Sequence, residues 1–290
     1  MTVVINPQFV LNGLIIGSTI ALAAIGLTLI FGILDFINFA HGEYLTLGAY
    51  SAFVLNVTFG LPFFVAALVA IPITVALALG IDRVVFYPLR RKGVGGLALL
   101  ITSVGLSIIL RNSIEMVWSS EPRRLSASGG EAIAVAGVRI TVVQIAIILV
   151  SLLLMVAIHL LLTRTVLGIS MRATASNSAL ALSSGVNTER VVMWTWIIGA
   201  GLTAIAGVLI GLNTVIRPSM GFGLLLVMFA AVILGGIGDP YGAMLGGLAI
   251  GMAQEVSVAF ISAAYKPAVA FTIMVVLLLW KPEGLRGGEA

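Results

Sequence analysis

The stretch FVLNGLIIGSTIALAAIGLTLIF, which runs from Phe9 to Phe31, contains no charged side chain. A bilayer core about 30 Å thick is crossed by roughly 20 residues of α-helix, so this stretch is long enough to span it. Apolar residues occur on all its sides, whereas strands of a transmembrane β-barrel alternate between polar and apolar positions. The stretch therefore predicts a membrane-spanning α-helix.

Similar stretches recur along the whole chain of 290 residues, of which 60% are hydrophobic and 9% charged. Such a composition cannot form a water-compatible surface, so residues 1–290 are predicted to form a single transmembrane domain. The expected fold class is all-α, a polytopic helical bundle of about 8 to 10 spans. The predicted spans are Phe9–Phe31, Phe36–Val57, Pro62–Ile81, Leu97–Val117, Ile140–Leu162, Val191–Val215, Leu224–Leu234, Ala243–Phe260 and Pro267–Trp280.

The last three predicted spans are short for full crossings, and their Gly and Pro residues are typical of broken or re-entrant helices that line a cavity.

An internal repeat is also suggested. Gly32–Asp35 and Gly236–Asp239 each follow an apolar segment and precede a helix that contains Gly. Two glycine-rich helix faces fit either tight packing or a solute path: Gly199, Gly207 and Gly211, and Gly242, Gly246 and Gly247.

The Lys and Arg residues between the spans predict which side faces the cytoplasm, because positive side chains are retained there. One set of connections holds Arg83, Arg90, Arg91, Lys92, Arg164, Arg172, Arg190, Lys281 and Arg286. The opposite set holds fewer: Arg123, Arg124, Arg139, Arg217 and Lys266. This bias places residues 83–92, residues 163–190 and the carboxyl terminus in the cytoplasm, and the amino terminus outside.

Residues 163–190 form the longest cytoplasmic connection, and a connection of this length usually has a function. Ala173–Leu182 contains good helix formers, Gly185 can end a helix in the left-handed conformation, and Thr188 can open the next span. A short helix lying across the membrane face would suit the docking of a cytoplasmic partner. A solvated connector without a partner is the alternative.

Several kinds of chemistry are excluded by what the sequence lacks. There is no Cys for disulfides or thiolates, no G-x-x-x-x-G-K-[ST] motif for a nucleotide, and only two His residues, His41 and His159. Two distant His residues do not have the spacing of metal ligands. We therefore predict no catalytic residue, no metal site and no ATP site in this chain, and its net charge of +4 requires no nucleic acid.

Five motifs carry a resemblance to a known family: INFAHGE at Ile37–Glu43, DRVVFYPLRR at Asp82–Arg91, GVNTERV at Gly185–Val191, AAVILGGIGDPYGAMLGG at Ala230–Gly247 and PEGLRG at Pro282–Gly287. In this order and spacing, they resemble the membrane permease of the branched-chain amino acid ABC importers over nearly the whole chain. Such importers pair two related permeases, and the chain resembles the one that carries NFAHGE.

The resemblance implies a permease subunit for leucine, isoleucine or valine, multi-pass in the plasma membrane, which is the inner membrane in a Gram-negative cell. It also implies a subunit that is not an enzyme and has no cofactor of its own. The implied partners are a second homologous permease, two cytoplasmic ABC ATPases that bind the ATP, and an extracytoplasmic substrate-binding protein. Residues 163–190 would couple to an ATPase, and the expected coupling residues are Arg172, Ala175, Asn177, Gly185, Asn187 and Glu189.

His41 and Glu43 are expected within about two turns of the cytoplasmic start of the second span, where neither has to be fully desolvated. They fit an interfacial pair beside a helix break, where Asp35 or Asn38 accepts from backbone N–H groups and Gly42 allows close helix approach. They equally fit a gate or the lining of a path, because ionisable groups in spans usually face a cavity or a partner. The gate or pathway candidates are Asn38, His41, Glu43, Asp35, Asp239 and Glu255.

Four other ionisable residues lie in predicted spans. Arg111 and Glu115 are one helical turn apart and are predicted to pair with each other. Glu255 has no oppositely charged neighbour within a turn, so it needs a partner from another helix or from a second permease. His159 is expected to form a hydrogen bond near the cytoplasmic interface.

Other functions stay open at this point. A permease of the same class could carry urea, short amides or another small amphipathic solute. A self-sufficient secondary transporter would use His41, Glu43 and Glu255 as a proton relay, although the further paired carboxylates expected at mid-membrane depth are missing. A scaffolding membrane protein without transport is the third possibility.

Overall fold

The computed structural model of the chain describes residues 6–126, 132–135, 137–281 and 284–286. Helices α1 to α12 are, in chain order, Pro7–Leu34, His41–Phe53, Phe63–Ile81, Tyr87–Arg91, Gly96–Trp118, Val142–Arg164, Val166–Ser176, Ser178–Ser183, Thr188–Asn213, Met220–Gly235, Pro240–Ser257 and Lys266–Trp280. π-Helical turns at Val54–Thr58 and Asp82–Phe86 extend α2 and α3, and a 3-10 turn at Ala263–Tyr265 precedes α12. Strands β1 (Ile133–Val135) and β2 (Val138–Ile140) form an antiparallel hairpin. Of the motif at Pro282–Gly287, only residues 284–286 lie within the described part.

Within the residues that the structure describes, six helical runs are long and apolar enough to cross a membrane, judged by their length and composition. They are Pro7–Leu34, Phe63–Arg91, Gly96–Trp118, Val142–Arg164, Thr188–Asn213 and Ala263–Trp280. The remaining long helices are shorter or less apolar: α2 has 13 residues, α10 has 16 and α11 has 18. The all-α polytopic bundle predicted from the sequence is confirmed.

The two ends of the bundle can be identified from their connections. Residues 163–190 lie at the end where α1 finishes, because His159 shortly before them bonds Tyr241, and Gly238 just before Tyr241 bonds Thr28 in the last two turns of α1. We call this the loop end. The β-hairpin lies at the opposite end, where the Gln8 side chain bonds both the N–H and the carbonyl of Arg139. This arrangement agrees with the predicted topology, in which the loop end is cytoplasmic.

Helices α1 and α9 form the centre of the bundle. In the most apolar windows of these helices, 83% and 72% of the residues are buried, against 11% to 28% for the other candidate spans. Helix α1 packs against α11, α9, α10 and α6, and α2 packs against α9, α3 and α10. The outer helices therefore present apolar faces that lipid or another subunit must cover.

Glycines set the distances between the central helices. The two glycine-rich helix faces identified in the sequence contain six glycines. All six are buried against another segment of the chain. A Cβ atom added at Gly207 would meet the backbone carbonyl of Leu45, and one added at Gly247 would meet the backbone of Ala21. Packing therefore accounts for these residues, since small side chains let transmembrane helices approach closely.

We predict that Gly207→Ala destabilises the folded protein by about 1 to 3 kcal/mol, because the added methyl group forces α2 and α9 apart. Gly80→Ala is the matched control, since a Cβ atom at Gly80 in α3 would have no neighbour within 4 Å. That control should be neutral or stabilising by up to about 1 kcal/mol, as expected from helix propensity. The measurement is denaturant unfolding in detergent, and equal stabilities of the two variants would contradict the packing assignment.

Candidate functional site

The chain breaks between α1 and α2 and turns back into the bundle. Helix α1 ends at Asp35, which adopts the left-handed conformation (φ 51°), while its N–H donates to the Phe31 carbonyl. Residues 36–40 are not helical. Two side chains serve the backbone of this break: Asn38 Oδ1 accepts from the Ala40 N–H (3.0 Å), and Ser103 Oγ accepts from the Phe39 N–H (2.9 Å). The backbone hydrogen bond predicted for Asn38 is confirmed, whereas the contribution of Ser103 was not anticipated.

The break places His41 and Glu43 deeper than the sequence predicted. The expected helix from Phe36 begins at His41 instead, and the ring of His41 lies beside Ala23 of α1. Ala23 is about 16 Å along the helix axis from Leu34. Both His41 and Glu43 have no exposed surface, so the expectation that neither is fully desolvated is wrong. The cause is the non-helical segment, which carries the chain towards the bundle centre before α2 starts.

His41 links α2 to α1 and α9. Its Nε2 atom lies 3.2 Å from the carbonyl oxygen of Ala23 and 2.8 Å from Thr203 Oγ1. A carbonyl can only accept, so Nε2 carries the hydrogen; Thr203 in turn donates to the carbonyl of Gly199 (2.8 Å). The imidazole is therefore held in one tautomer, and it ties the start of α2 to the two central helices.

Glu43 links α2 to α5. Its Oε1 atom accepts a hydrogen bond from Ser107 Oγ (2.9 Å), while Oε2 is buried and has no hydrogen-bond partner among the described residues. Gly42 lies between the two ionisable residues, and its backbone is so close to Gly221 of α10 that neither position has room for a Cβ atom. The close helix approach predicted for Gly42 is confirmed.

Further polar atoms are buried beside His41. The Tyr44 ring makes edge contacts with both His41 and Trp196, with ring centroids 6.1 and 6.0 Å apart. His41 Nδ1 and Trp196 Nε1 are buried without a hydrogen-bond partner in the described part of the chain, and the Asn38 amide lies beside the Tyr44 hydroxyl. A buried polar group without a partner is costly, so this cluster is a part of the bundle where packing alone does not explain the residues.

The other gate candidates lie elsewhere. Asp35 is exposed at the loop end. Asp239 is the N-cap of α11, where it accepts from the Tyr241 N–H (2.9 Å) and pairs with Arg286 (3.1 Å). Glu255 lies towards the opposite end and pairs with Lys266 of α12, so its predicted need for a partner from another helix is confirmed. Only Asn38, His41 and Glu43 are therefore brought together.

The two similar segments at Gly32–Asp35 and Gly236–Asp239 are neighbours at the loop end. The Gly238 N–H donates to Thr28 Oγ1 (2.9 Å), and Gly238 faces Gly32. Residues 285 and 286 donate backbone hydrogen bonds to the last carbonyls of α10. His159 Nδ1 lies 3.1 Å from the Tyr241 hydroxyl, which confirms its predicted hydrogen bonding. The internal repeat itself stays a prediction.

The predicted pair of Arg111 and Glu115 does not form. No ion pair within 4 Å joins them in the described structure. Arg111 instead lies over the ring of Phe222 in α10, with its guanidinium carbon 4.8 Å from the ring centroid. Helical spacing makes a contact possible but does not decide it, because an aromatic face from another helix competes for the guanidinium.

The cytoplasmic loop is more helical than predicted. Instead of one short helix at Ala173–Leu182, it forms α7 and α8, with a break at Asn177 whose side chain accepts from the Leu180 N–H (2.9 Å). Gly185 has a φ of 87°, as expected for the residue that ends this segment, and Asn187 caps α9. The six expected coupling residues are all exposed at the loop end: Arg172, Ala175, Asn177, Gly185, Asn187 and Glu189.

Two features of this surface could not be recognised from the sequence. Leu180 and Leu182 of α8 are 64% and 61% exposed, although both are apolar. A cleft of about 610 Å³ lies between α7 and the start of α9, lined by residues that include Ser170, Gly185 and Arg190. Exposed apolar side chains beside a cleft are typical of a surface that docks another protein.

Comparison with known proteins gives consistent matches. The family model described as "Branched-chain amino acid transport system / permease component" matches residues 9–278. The high-affinity branched-chain amino acid transport system permease protein BraD of Pseudomonas aeruginosa is 38% identical over 97% of this chain and 95% of the relative. LivH of Escherichia coli K12, which carries the same description, is 37% identical over the same shares. The probable branched-chain amino acid transport permease protein LivH of Methanocaldococcus jannaschii is 28% identical over 98% of this chain and 93% of the relative.

A solved structure is similar in fold. It is PsaBC from Streptococcus pneumoniae in complex with Fab, with a TM-score of 0.53 and 15% sequence identity, covering 95% of this chain and 93% of the matched chain. At this identity the similarity concerns the fold alone.

The bond between His41 and Thr203 can be tested by a double-mutant cycle. We expect His41→Leu and Thr203→Val each to destabilise the protein by about 1 to 3 kcal/mol, because each removes a buried hydrogen bond that water cannot replace. The double variant should lose about 1 kcal/mol less than the sum of the two. Unfolding in detergent is the measurement, and strictly additive losses would show that the two side chains do not interact.

Proposed function

The chain belongs to the family of permease components of branched-chain amino acid transport systems, and on that premise we propose that it carries leucine, isoleucine and valine across the plasma membrane as the permease subunit of an ABC importer. The observation that carries this proposal is the 38% identity to a high-affinity branched-chain amino acid permease over 97% of the chain. The protein is a multi-pass membrane protein, as its six apolar helical runs and its bacterial relatives indicate.

In this proposal the chain forms half of the translocation pathway, and a second homologous permease forms the other half. The exposed apolar surface of the outer helices is consistent with such a partner. Phe64 of α3, Met116 of α5 and Leu153 of α6 are 80%, 87% and 68% exposed, which leaves apolar surface for a second subunit as well as for lipid. An extracytoplasmic binding protein would deliver the solute to the end that carries the β-hairpin.

Two cytoplasmic ATPases would bind the ATP and drive transport, so that this chain needs neither a cofactor nor enzymatic activity of its own. The loop end supports this role. Helices α7 and α8 form a compact, capped projection, and its exposed Leu180 and Leu182 provide apolar contacts for a docked ATPase. The exposed coupling residues would surround these contacts and supply the polar part of the interface.

Within the membrane, we assign Asn38, His41 and Glu43 to a gate. The bonds of His41 and Glu43 to α1, α5 and α9 hold the non-helical segment in place, and all three side chains are buried in this conformation. A movement of α7 and α8 imposed by an ATPase would reach this segment through α1 and α9, which α7 contacts. The proposal thus connects the loop end with the buried break.

The function can be tested by uptake of radiolabelled leucine into proteoliposomes. We expect uptake against a gradient only when the second permease, the ATPases, the binding protein and ATP are all supplied. A proton gradient without ATP should give no accumulation. Accumulation driven by that gradient alone would contradict the proposal and favour a secondary transporter. Competition by unlabelled urea or short amides instead of isoleucine and valine would show that the solute was assigned wrongly.

The coupling surface can be tested by reversing a charge. We expect Arg172→Glu to lower ATP-driven leucine uptake at least tenfold, because a reversed charge in a docking surface places like charges opposite each other. Gly185→Trp should have the same effect, since the left-handed conformation at φ 87° disfavours a bulky side chain. Both variants should still be recovered folded in the membrane.

Lys92→Glu is the matched control, because Lys92 is an exposed cation on the predicted cytoplasmic side but outside residues 163–190. It should transport normally. Co-purification of the ATPases with each variant separates lost docking from lost transport. Normal ATP-driven uptake by both loop variants would remove the coupling role from this surface.

A further inference from the structure

One face of α5 lies alongside the break between α1 and α2. Ser103, Ser107 and Arg111 are spaced four residues apart, so they lie above one another on this face. Ser103 bonds the backbone of the non-helical segment, and Ser107 bonds Glu43. Arg111 continues the same row to the first turn of α10, where it meets Phe222.

The surface between α5 and α10 differs from an ordinary lipid-facing helix surface. The non-helical segment lies there, since Phe39 bonds Ser103 of α5 and packs on Phe229 of α10 with ring centroids 5.4 Å apart. Ile37 of the same segment is 37% exposed. Irregular backbone at membrane depth is tolerated only where protein buries it or where it lines a water-filled cavity. Ile37 leaves part of the segment uncovered, which favours a second subunit or a path beside this surface over lipid.

Arg111 brings a positive charge to this surface. It is half-buried and lies about 10 Å along the axis of α5 from Trp118. No carboxylate that the structure describes lies within 4 Å of its guanidinium group, although Glu43, which bonds Ser107 one turn along α5, is near enough to interact with its charge. A guanidinium group at membrane depth is costly without an anionic partner or water. Its contact with the Phe222 ring is compatible with a partner, because it occupies only one face of the planar group.

The N-terminus of α10 adds to the positive field. Helix α10 begins at Met220, and the backbone N–H groups of its first turn carry partial positive charge. Phe222 is in this turn and holds Arg111 beside it. Gly223, the next residue, is exposed and has open space where a side chain would be. Positive charge, an aromatic ring and open space are thus found together.

We propose that Arg111 binds the α-carboxylate of the amino acid during its passage between α5 and α10. The proposal rests on the proposed function, since urea or an amide would bring no carboxylate. Two N–H groups of the guanidinium fork match the two oxygens of a carboxylate, and the Phe222 ring offers an apolar surface to the branched side chain. Arg111 is thereby a residue that selects for amino acids within the permease itself.

The first test compares Arg111→Gln and Arg111→Lys in the complete importer, reconstituted with its ATPases and binding protein. We expect Arg111→Gln to lower uptake of radiolabelled leucine at least tenfold, while ATP hydrolysis stimulated by the binding protein stays within twofold. Arg111→Lys keeps the charge without the fork and should retain intermediate uptake. Arg124→Gln is the control, because Arg124 is an exposed arginine outside α5 and should transport normally.

The second test restores the charge chemically. The chain has no cysteine, so Arg111→Cys introduces its single thiol. Aminoethyl methanethiosulfonate converts this thiol into a disulfide that carries an ammonium group, and it should raise leucine uptake at least threefold. Sulfoethyl methanethiosulfonate adds a negative group of similar size and should not. The wild-type complex, treated in parallel, corrects for thiols on the other subunits.

The outcomes separate this proposal from the proposed function. If the wild-type complex does not import leucine, the proposed function fails. If it does, and Arg111→Gln imports equally well, or both reagents restore uptake equally, the assignment of Arg111 is overturned. Failure of both neutral variants to assemble would also overturn it, because Arg111 would then serve folding and not the solute.

Discussion

The architecture depends on satisfying a short run of non-helical backbone inside a membrane protein. Lipid offers no hydrogen bonds, so residues 36–40 can exist at this depth only if the chain itself supplies the partners. Ser103 and Asn38 supply two of them, and His41 then ties the first residue of α2 to Ala23 and Thr203. Because these bonds reach α1, α5 and α9, the position of the break fixes the position of its neighbours.

Close helix contact is the second condition for this arrangement. The bond between His41 and Thr203 is short because α2 lies almost in backbone contact with α9 at Gly207, and Gly221 brings α10 equally close to α2. Larger residues at these positions would separate the helices by more than a hydrogen bond can span. The many glycines of this chain therefore serve the polar centre as well as the packing, and the two cannot be changed independently.

The proposed coupling and the proposed passage of the solute are assigned to two different regions of the molecule. The loop end carries capped, exposed helices suited to a partner that supplies energy, whereas the membrane region carries buried polar groups and a positive charge suited to an amphipathic, zwitterionic solute. Helices α1 and α9 connect these regions, since His41 bonds both of them directly after the break and both contact α7. Packed helices and hydrogen bonds of this kind can transmit a movement from one end of the bundle to the other.

Local features were predictable from the sequence because they depend on nearby residues. The apolar spans, the left-handed Gly185, the Asn38 bond to the backbone two residues on and the exposed cytoplasmic loop all follow from composition and short spacing. The depth of His41 and Glu43 did not, because it depends on Ser103, which lies more than sixty residues further along the chain.

The partner of Arg111 was likewise decided by tertiary structure. Helical spacing allowed Glu115, but the fold brought Phe222 of α10 to the guanidinium group instead. Glu255 was expected to need a partner from another segment, yet only the fold identified Lys266. Hydrophobicity is a property of each segment and fixes that the chain crosses the membrane. Polar contacts form between segments, so only the packed bundle decides which ionisable groups meet.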